Sequence, residues 1–496
     1  MSRYTSLSLS HATILRLSLA ILGVYALLAS PFAFSQTQKP RQTTPVNQKT
    51  APQKTPAPQQ SPKAAPTPTA TDSAPAQGEV SLSAEDQEKY RKALELFNKQ
   101  DFSGSLDVLR DLAAGNPASR PPRIIVALWF SELQNPQAVR LSLEQATVES
   151  PEDPEAYFSL AEIALKDGSL TAAELLTLKG DEKLSKYTAN PTRQKKLTRM
   201  SHTLKLSYAN ARQRWTDAQN AILGLIKLDG ETAELDRLYA RALFLQNQDD
   251  KARQALQRAE KLSNGEGLPT DAAMAQLYAA RGDKESAKAS LNAALKAHPK
   301  STPVLLLSIS DALSENNLDA AWSLVQRLYQ EEKSPDVLKT YGKVALFRSD
   351  FKSAEAAFQE AVRQNPLDTE ATGGLALALC EQGDAEKNKR ALQYAASNLQ
   401  KQSNNRDYLA TLGWTLYKSG QVDDAVKILQ QSIADGQINA ASAYYFAVIL
   451  NERGQQDVAK QLLEAALSTA PPFAKRDEAQ KLLDSINDKS IAQPAK

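Results

Sequence analysis

One position returns along this chain at a nearly fixed interval, almost always as a small side chain. Ser105, Val139, Ala173, Ala218, Ala252, Ala287, Ala321, Ala354, Ala391, Ala425 and Ala459 are separated by 34, 34, 45, 34, 35, 34, 33, 37, 34 and 34 residues. A period of this length marks a repeat array, in which each copy buries its apolar face only against its neighbours. Turn residues keep the same beat at Gln100-Asp101-Phe102, Gly168, Gly282-Asp283, Ser349-Asp350-Phe351, Gly383-Asp384, Gly420 and Gly454. Pro117, Pro151, Pro299, Pro366 and Pro471 stand where a helix must end, because proline lacks the amide proton and restricts the residue before it. The stretch from Phe347 to Pro366, FRSDFKSAEAAFQEAVRQNP, shows the packing logic. Two helices whose axes approach to about 8 to 10 Å need small side chains at their crossing. Gly342 on a first helix and Ala354 on a second meet that need, and Phe358 and Ala361 then face the next pair. Gly413, Ala425 and Ala459 are expected to pack in the same way.

The order Leu or Tyr, Gly or Ala, an aromatic or aliphatic residue, then Ala, an apolar residue, Ala and Pro resembles the tetratricopeptide repeat, a helix-turn-helix element of 34 residues. The resemblance covers about eleven copies over residues 86–470. It departs from the family pattern in two ways: Ser105 and Val139 replace the preferred alanine, and the family's tryptophan is missing from its usual place in every copy. The segment FAKRDEAQKLLDSI within 472–487, with apolar residues at 473, 482, 483 and 486, reads as a capping helix, and 488–496 as a frayed tail. The resemblance implies an all-α, right-handed superhelical solenoid whose first helices line a concave groove. It also implies that the groove binds a partner peptide or subunit.

Composition removes other classes. Three histidines and one cysteine, Cys380, leave no ligand set for zinc, haem, an iron-sulfur cluster or a disulfide framework. His202 and His298 fall in different copies, and no glycine-rich phosphate loop or nucleophile elbow occurs. The expectation is therefore a protein that is not an enzyme, with no metal and no small-molecule cofactor. A formal charge of +2 creates no global field for nucleic acid, which is not expected as a partner.

The N-terminus is read as a targeting segment. Arg3 and Arg16 precede an apolar run at Leu17–Ala29, and Ala33 and Ser35 fit a cleavage site after Ser35. Residues 1–35 are thus expected to be a signal peptide, the alternative being an uncleaved anchor, with the mature chain periplasmic or extracellular in a bacterial cell envelope. Residues 36–80, rich in Pro, Thr, Gln and Ala, are expected to be a disordered linker.

Partner residues follow from the resemblance and its register. The first helices place Tyr90, Leu94, Phe97, Ile124, Leu128 and Phe158 in an apolar strip near the start of the array. They place Arg237 with Arg241 and Lys339 with Lys343 as basic pairs at i and i+4, and Trp414, Tyr417, Tyr444 and Asn451 near the end. Basic pairs with aromatics suit an acidic or carboxylate-ended peptide. The leading expectation is an exported scaffold for other envelope proteins. The alternative is a binder of an anionic polysaccharide or lipid surface. It rests on 11 extra residues between the third and fourth copies, in a stretch from Lys179 to Arg214 with ten basic and two acidic residues. Its expected docking patch is Arg193, Lys195, Lys196 and Arg199.

Overall fold

The computed structural model describes residues 83–492, apart from 117, 266, 434–438 and 470–472, with side chains as far as Asp488. The expected signal peptide and linker, together with Pro117 and Pro471, lie outside the described residues.

The described chain folds into 23 helices that pair in chain order. It divides into two compact units, the first running to Glu266 and taking in Ala279–Gly282, the second formed by Gly267–Tyr278 and the chain from Asp283. The first unit holds five pairs: α1 (Ala84–Asn98) with α2 (Phe102–Gly115), α3 (Pro122–Glu132) with α4 (Pro136–Glu149), α5 (Glu155–Lys166) with α6 (Leu170–Leu184), α7 (Pro191–Ala211) with α8 (Trp215–Asp229), and α9 (Ala233–Phe244) with α10 (Asp249–Leu262). Next come α11 (Thr270–Arg281) with α12 (Lys284–Ala297), α13 (Thr302–Ser314) with α14 (Leu318–Glu331), and α15 (Pro335–Phe347) with α16 (Phe351–Gln364). The last pairs are α17 (Thr369–Cys380) with α18 (Ala385–Lys401), α19 (Arg406–Lys418) with α20 (Val422–Ile433), and α21 (Ala440–Glu452) with α22 (Gln456–Ser468). A single helix, α23 (Arg476–Ala492), closes the array. The fold is an all-α solenoid of helix-turn-helix repeats.

Every turn within a pair is made the same way. One residue adopts a left-handed conformation five or, in the ninth repeat, eight positions before the recurring small residue: Gln100, Gln134, Gly168, Gln213, Asn247, Gly282, Asn316, Ser349, Gly383, Gly420 and Gly454. The following residue often caps the second helix. Asp101 accepts from the Gly104 amide at 2.9 Å and Asp350 from that of Ser353 at 3.1 Å, each satisfying an amide that the helix leaves unpaired. In the ninth repeat the three extra residues lie between the turn and Ala391, in the first turn of α18, which is 17 residues long.

The recurring position is fully buried at Ala173, Ala218, Ala252, Ala321, Ala354, Ala391, Ala425 and Ala459. Ser105 is tolerated there because its hydroxyl donates to the Ala93 carbonyl at 2.8 Å, so no buried donor is left unpaired. Val139 and Ala287 are only partly covered. In the second unit Phe358 fills the space between pairs: it lies against Gly342 on α15 and Gly374 on α17. Leu429 occupies the equivalent space under Gly413, where an added Cβ would meet its Cγ at 2.5 Å. The 11-residue insertion becomes six connecting residues and a first helix, α7, of 21 residues. Helix α23 continues to Ala492, through part of the expected frayed tail.

Candidate functional site

The residues named as partner contacts fall into three groups: some already have partners inside the protein, some are core, and a few stay available. Near the C-terminus the aromatics belong to the first two groups. Trp414 is buried, its indole stacked on Tyr445 at 4.3 Å and on Tyr417 at 5.1 Å. Its Nε1 donates to Glu381 Oε1 at 2.9 Å. The Tyr417 hydroxyl donates to Glu452 at 2.6 Å, and burial with that carboxylate pushes its pKa up to about 12. Tyr444 is buried against Phe473, 5.8 Å between ring centroids. Asn451 has a buried Oδ1 with no hydrogen-bond partner. Glu381 also receives Lys418 at 3.2 Å and Lys475 at 3.5 Å, and Lys475 lies over the Phe351 ring at 4.9 Å. These aromatics pack against one another near the end of the array.

Lys339 is likewise occupied. Its ammonium pairs with Asp336, Asp368 and Glu370 at 3.0 to 3.2 Å. Burial works against its charge, but the hydrogen bonds to Asp368 and Glu370 hold its pKa above the ordinary value. Lys343, one turn later, is exposed.

The expected apolar strip is mostly core. Leu94, Phe97, Ile124 and Phe158 are buried, Phe97 among Trp129, Phe102 and Phe130. Tyr90 accepts a hydrogen bond from Trp129 Nε1 at 3.1 Å. Leu128 alone of the six faces outward, 43% exposed.

The expected docking patch divides: Lys195 and Lys196 are exposed, whereas Arg193 is buried. Arg193 is 1% exposed and holds Asp153 through two 2.7 Å bonds and Glu155 through bonds of 2.6 and 2.9 Å, with Tyr187 adding a hydroxyl at 3.1 Å. Burial opposes this guanidinium's charge, but Glu155 and Asp153 outweigh it and hold the pKa above the usual arginine value. Arg199 forks onto Asp229 at 2.5 and 2.7 Å, and Lys195 approaches the same carboxylate at 3.6 Å. Lys196 lends its charge to Glu155. Around them Lys183 pairs with Glu152, Lys205 with Asp181, and Arg212 and Arg214 with Glu174. The acidic partners come largely from neighbouring helices, so most charges of a run that is strongly basic in sequence are paired in space.

Besides Lys343, what remains lies on the first helices of the first unit. Eleven residues before the recurring small position stand Leu128 on α3, Glu162 on α5, Ser207 on α7 and Arg241 on α9. Arg241 is half-buried and makes no hydrogen bond or ion pair among the described residues. Burial lowers its pKa, and no nearby acid acts in the other direction. Glu162 is also half-buried without such a bond. Burial raises its pKa and Glu155 adds to the rise, while Lys166 and Lys196 only partly offset it. Arg237, one turn before Arg241, is half-buried and has a partner within the protein. Glu162 was missed in the sequence, although it shares the register of Leu128 and Arg241. Among the described residues no cluster of His, Cys, Asp and Glu is placed to hold a metal, and no helix is long and apolar enough to cross a membrane.

Paired helices in register, small residues at each crossing and a row of available side chains along the first helices define a helical-repeat interaction protein. Tetratricopeptide repeat models match residues 132–180, 207–267, 342–401 and 411–475, and a further model of that description matches 272–301. The chain belongs to the tetratricopeptide repeat family, whose members are protein-interaction scaffolds and typically not enzymes. Among solved structures it is similar to a tetratricopeptide repeat protein from Parabacteroides merdae ATCC 43184, at 14% identity over 51% of this chain and 98% of that one, with a TM-score of 0.40. It is similar to PilW, a widely conserved type IV pilus biogenesis factor, at 18% identity over 44% and 96% with a TM-score of 0.34. It is also similar to yeast Tom70, at 14% identity over 82% and 96% with a TM-score of 0.31. Comparison with curated protein sequences finds no match.

Proposed function

We propose that this chain is an exported scaffold that holds a protein partner of the cell envelope along the first helices α3, α5, α7 and α9. The observation that carries the reading is Arg241, a half-buried guanidinium with no anion of its own. An uncompensated, partly desolvated charge is unfavourable in the free protein, and an incoming carboxylate relieves it. In the second unit Trp414 holds the same register and already has an internal partner, while Lys343, also in that register, is exposed rather than half-buried. Export rests on the N-terminal apolar run after Arg3 and Arg16, and the Pro- and Thr-rich stretch that follows serves as a tether. Nothing in the role requires catalysis.

The test is crosslinking of the tagged full-length protein in cells, followed by purification from the envelope fraction, with wild type and Arg241→Gln side by side. Recovery of one or a few proteins, much reduced in the variant, is expected. Recovery of glycan or lipid without protein would overturn the reading.

A further inference from the structure

We propose that the first-helix row of the first unit selects its partner by the spacing of two charges: a basic side chain set against Glu162 and a carboxylate, from an acidic side chain or a chain end, set against Arg241. The inference rests on the reading of this row as the partner-binding face. Glu162 and Arg241 hold the same register on α5 and α9, each 11 residues before the small residue of its repeat, at Ala173 and Ala252. Both are half-buried, and neither forms a hydrogen bond or ion pair among the described residues. The contrast with their surroundings is sharp. Asp153, Glu155, Glu174 and Asp229 in the same unit are each bonded to arginine. Lys166 and Lys196 act on Glu162 at a distance without outweighing its burial. Opposite charges two repeats apart give the row a direction, so a peptide that satisfies both can lie only one way round.

The separation follows from packing. Helices about 10 to 12 Å across, set side by side, put two charges two repeats apart at about 20 Å from each other. An extended peptide covers that distance in about six residues. Between them stands Ser207, whose hydroxyl is turned to the Thr203 carbonyl of its own helix at 2.9 Å, leaving a short, neutral stretch in the row. Beyond Glu162 the row continues to the exposed apolar Leu128. The ligand is thus an extended segment with an apolar residue, then a basic one, then an acidic one or a terminus about six residues further along.

The experiment is selection of short random peptides on the full chain, followed by anisotropy measurements on synthetic winners with wild type, Glu162→Gln and Arg241→Gln. Circular dichroism serves as the folding control, since neither side chain has an internal bond to lose. The winners are expected to carry Lys or Arg about six residues from Asp, Glu or a free carboxylate. Each substitution should weaken binding about tenfold and erase the preference at its own end only. Winners without that spacing, or preferences unchanged in both variants, would overturn the charge reading while leaving peptide binding intact. If no peptide is selected at all, this inference falls, and the proposed function is decided separately by the in-cell crosslinking.

Discussion

A Cβ added to Gly342 would lie 2.7 Å from the ring of Phe358, and one added to Gly374 would lie closer still. The ring therefore fits between two helices of successive repeats only because both backbones are bare. Gly374→Ala should destabilise the protein by about 1 to 3 kcal/mol, the usual cost of overpacking. In a double-mutant cycle read by urea denaturation, Phe358→Leu should return part of that loss, since the smaller side chain makes room for the methyl. Strict additivity of the two changes would rule out the packing described.

Gly342 and Phe358 were legible in the sequence because the repeat register marks the positions where helices cross. Gly374 was not, since it serves the same ring from the following repeat, and a template applied repeat by repeat does not show contacts between repeats. The turns were half legible. Glycine at 168, 282, 383, 420 and 454 announces a left-handed residue, whereas Gln134, Gln213, Asn247 and Asn316 take the same conformation without announcing it. Charges were the least legible. The stretch around Arg193 carries few acids of its own, and its counter-ions Asp153, Glu155 and Asp229 arrive from 30 to 40 residues away. Trp414 looked like a binding residue for a related reason: Glu381, which accepts its indole proton, lies 33 residues earlier in the preceding repeat.

Arg193→Ala would leave Asp153 and Glu155 facing each other with little solvent. A loss of about 3 to 5 kcal/mol is expected, as for removal of one partner from a buried ion pair. Thermal denaturation measures it. A change under about 1 kcal/mol, the range of exposed pairs, would show that Arg193 is not buried as described.

Trp414→Ala should cost about 3 to 5 kcal/mol, because it removes a buried aromatic and strips Glu381 of a donor. Trp414→Phe retains the stack on Tyr445 and should cost only about 1 to 2 kcal/mol. Equal losses in the two variants would mean that the hydrogen bond to Glu381, and not the stack, dominates.

His202 makes stability depend on pH. Burial, followed by the charge of Lys205, lowers its pKa below the ordinary 6.5, with Asp181 acting the other way. The unfolded chain therefore takes up a proton that the folded chain resists. Stability is fully present above the ordinary value and is lost as the pH falls from there through the folded pKa. Denaturation midpoints should drop as the pH is lowered from about 7 to 5. Most of the drop should disappear in His202→Gln, a variant that also leaves Gly224, against which the ring packs, uncrowded.

The central claim is that the partner lies on the first-helix row of the first unit. A photocrosslinking amino acid placed at Ser207, between Glu162 and Arg241, tests it most directly, with Leu367, 76% exposed on the second unit, as the control position. In intact cells the Ser207 probe should give one or a few discrete protein adducts that fade when Arg241→Gln is added, and the Leu367 probe should not give them. The same adducts from both positions, or none from Ser207, would contradict the account.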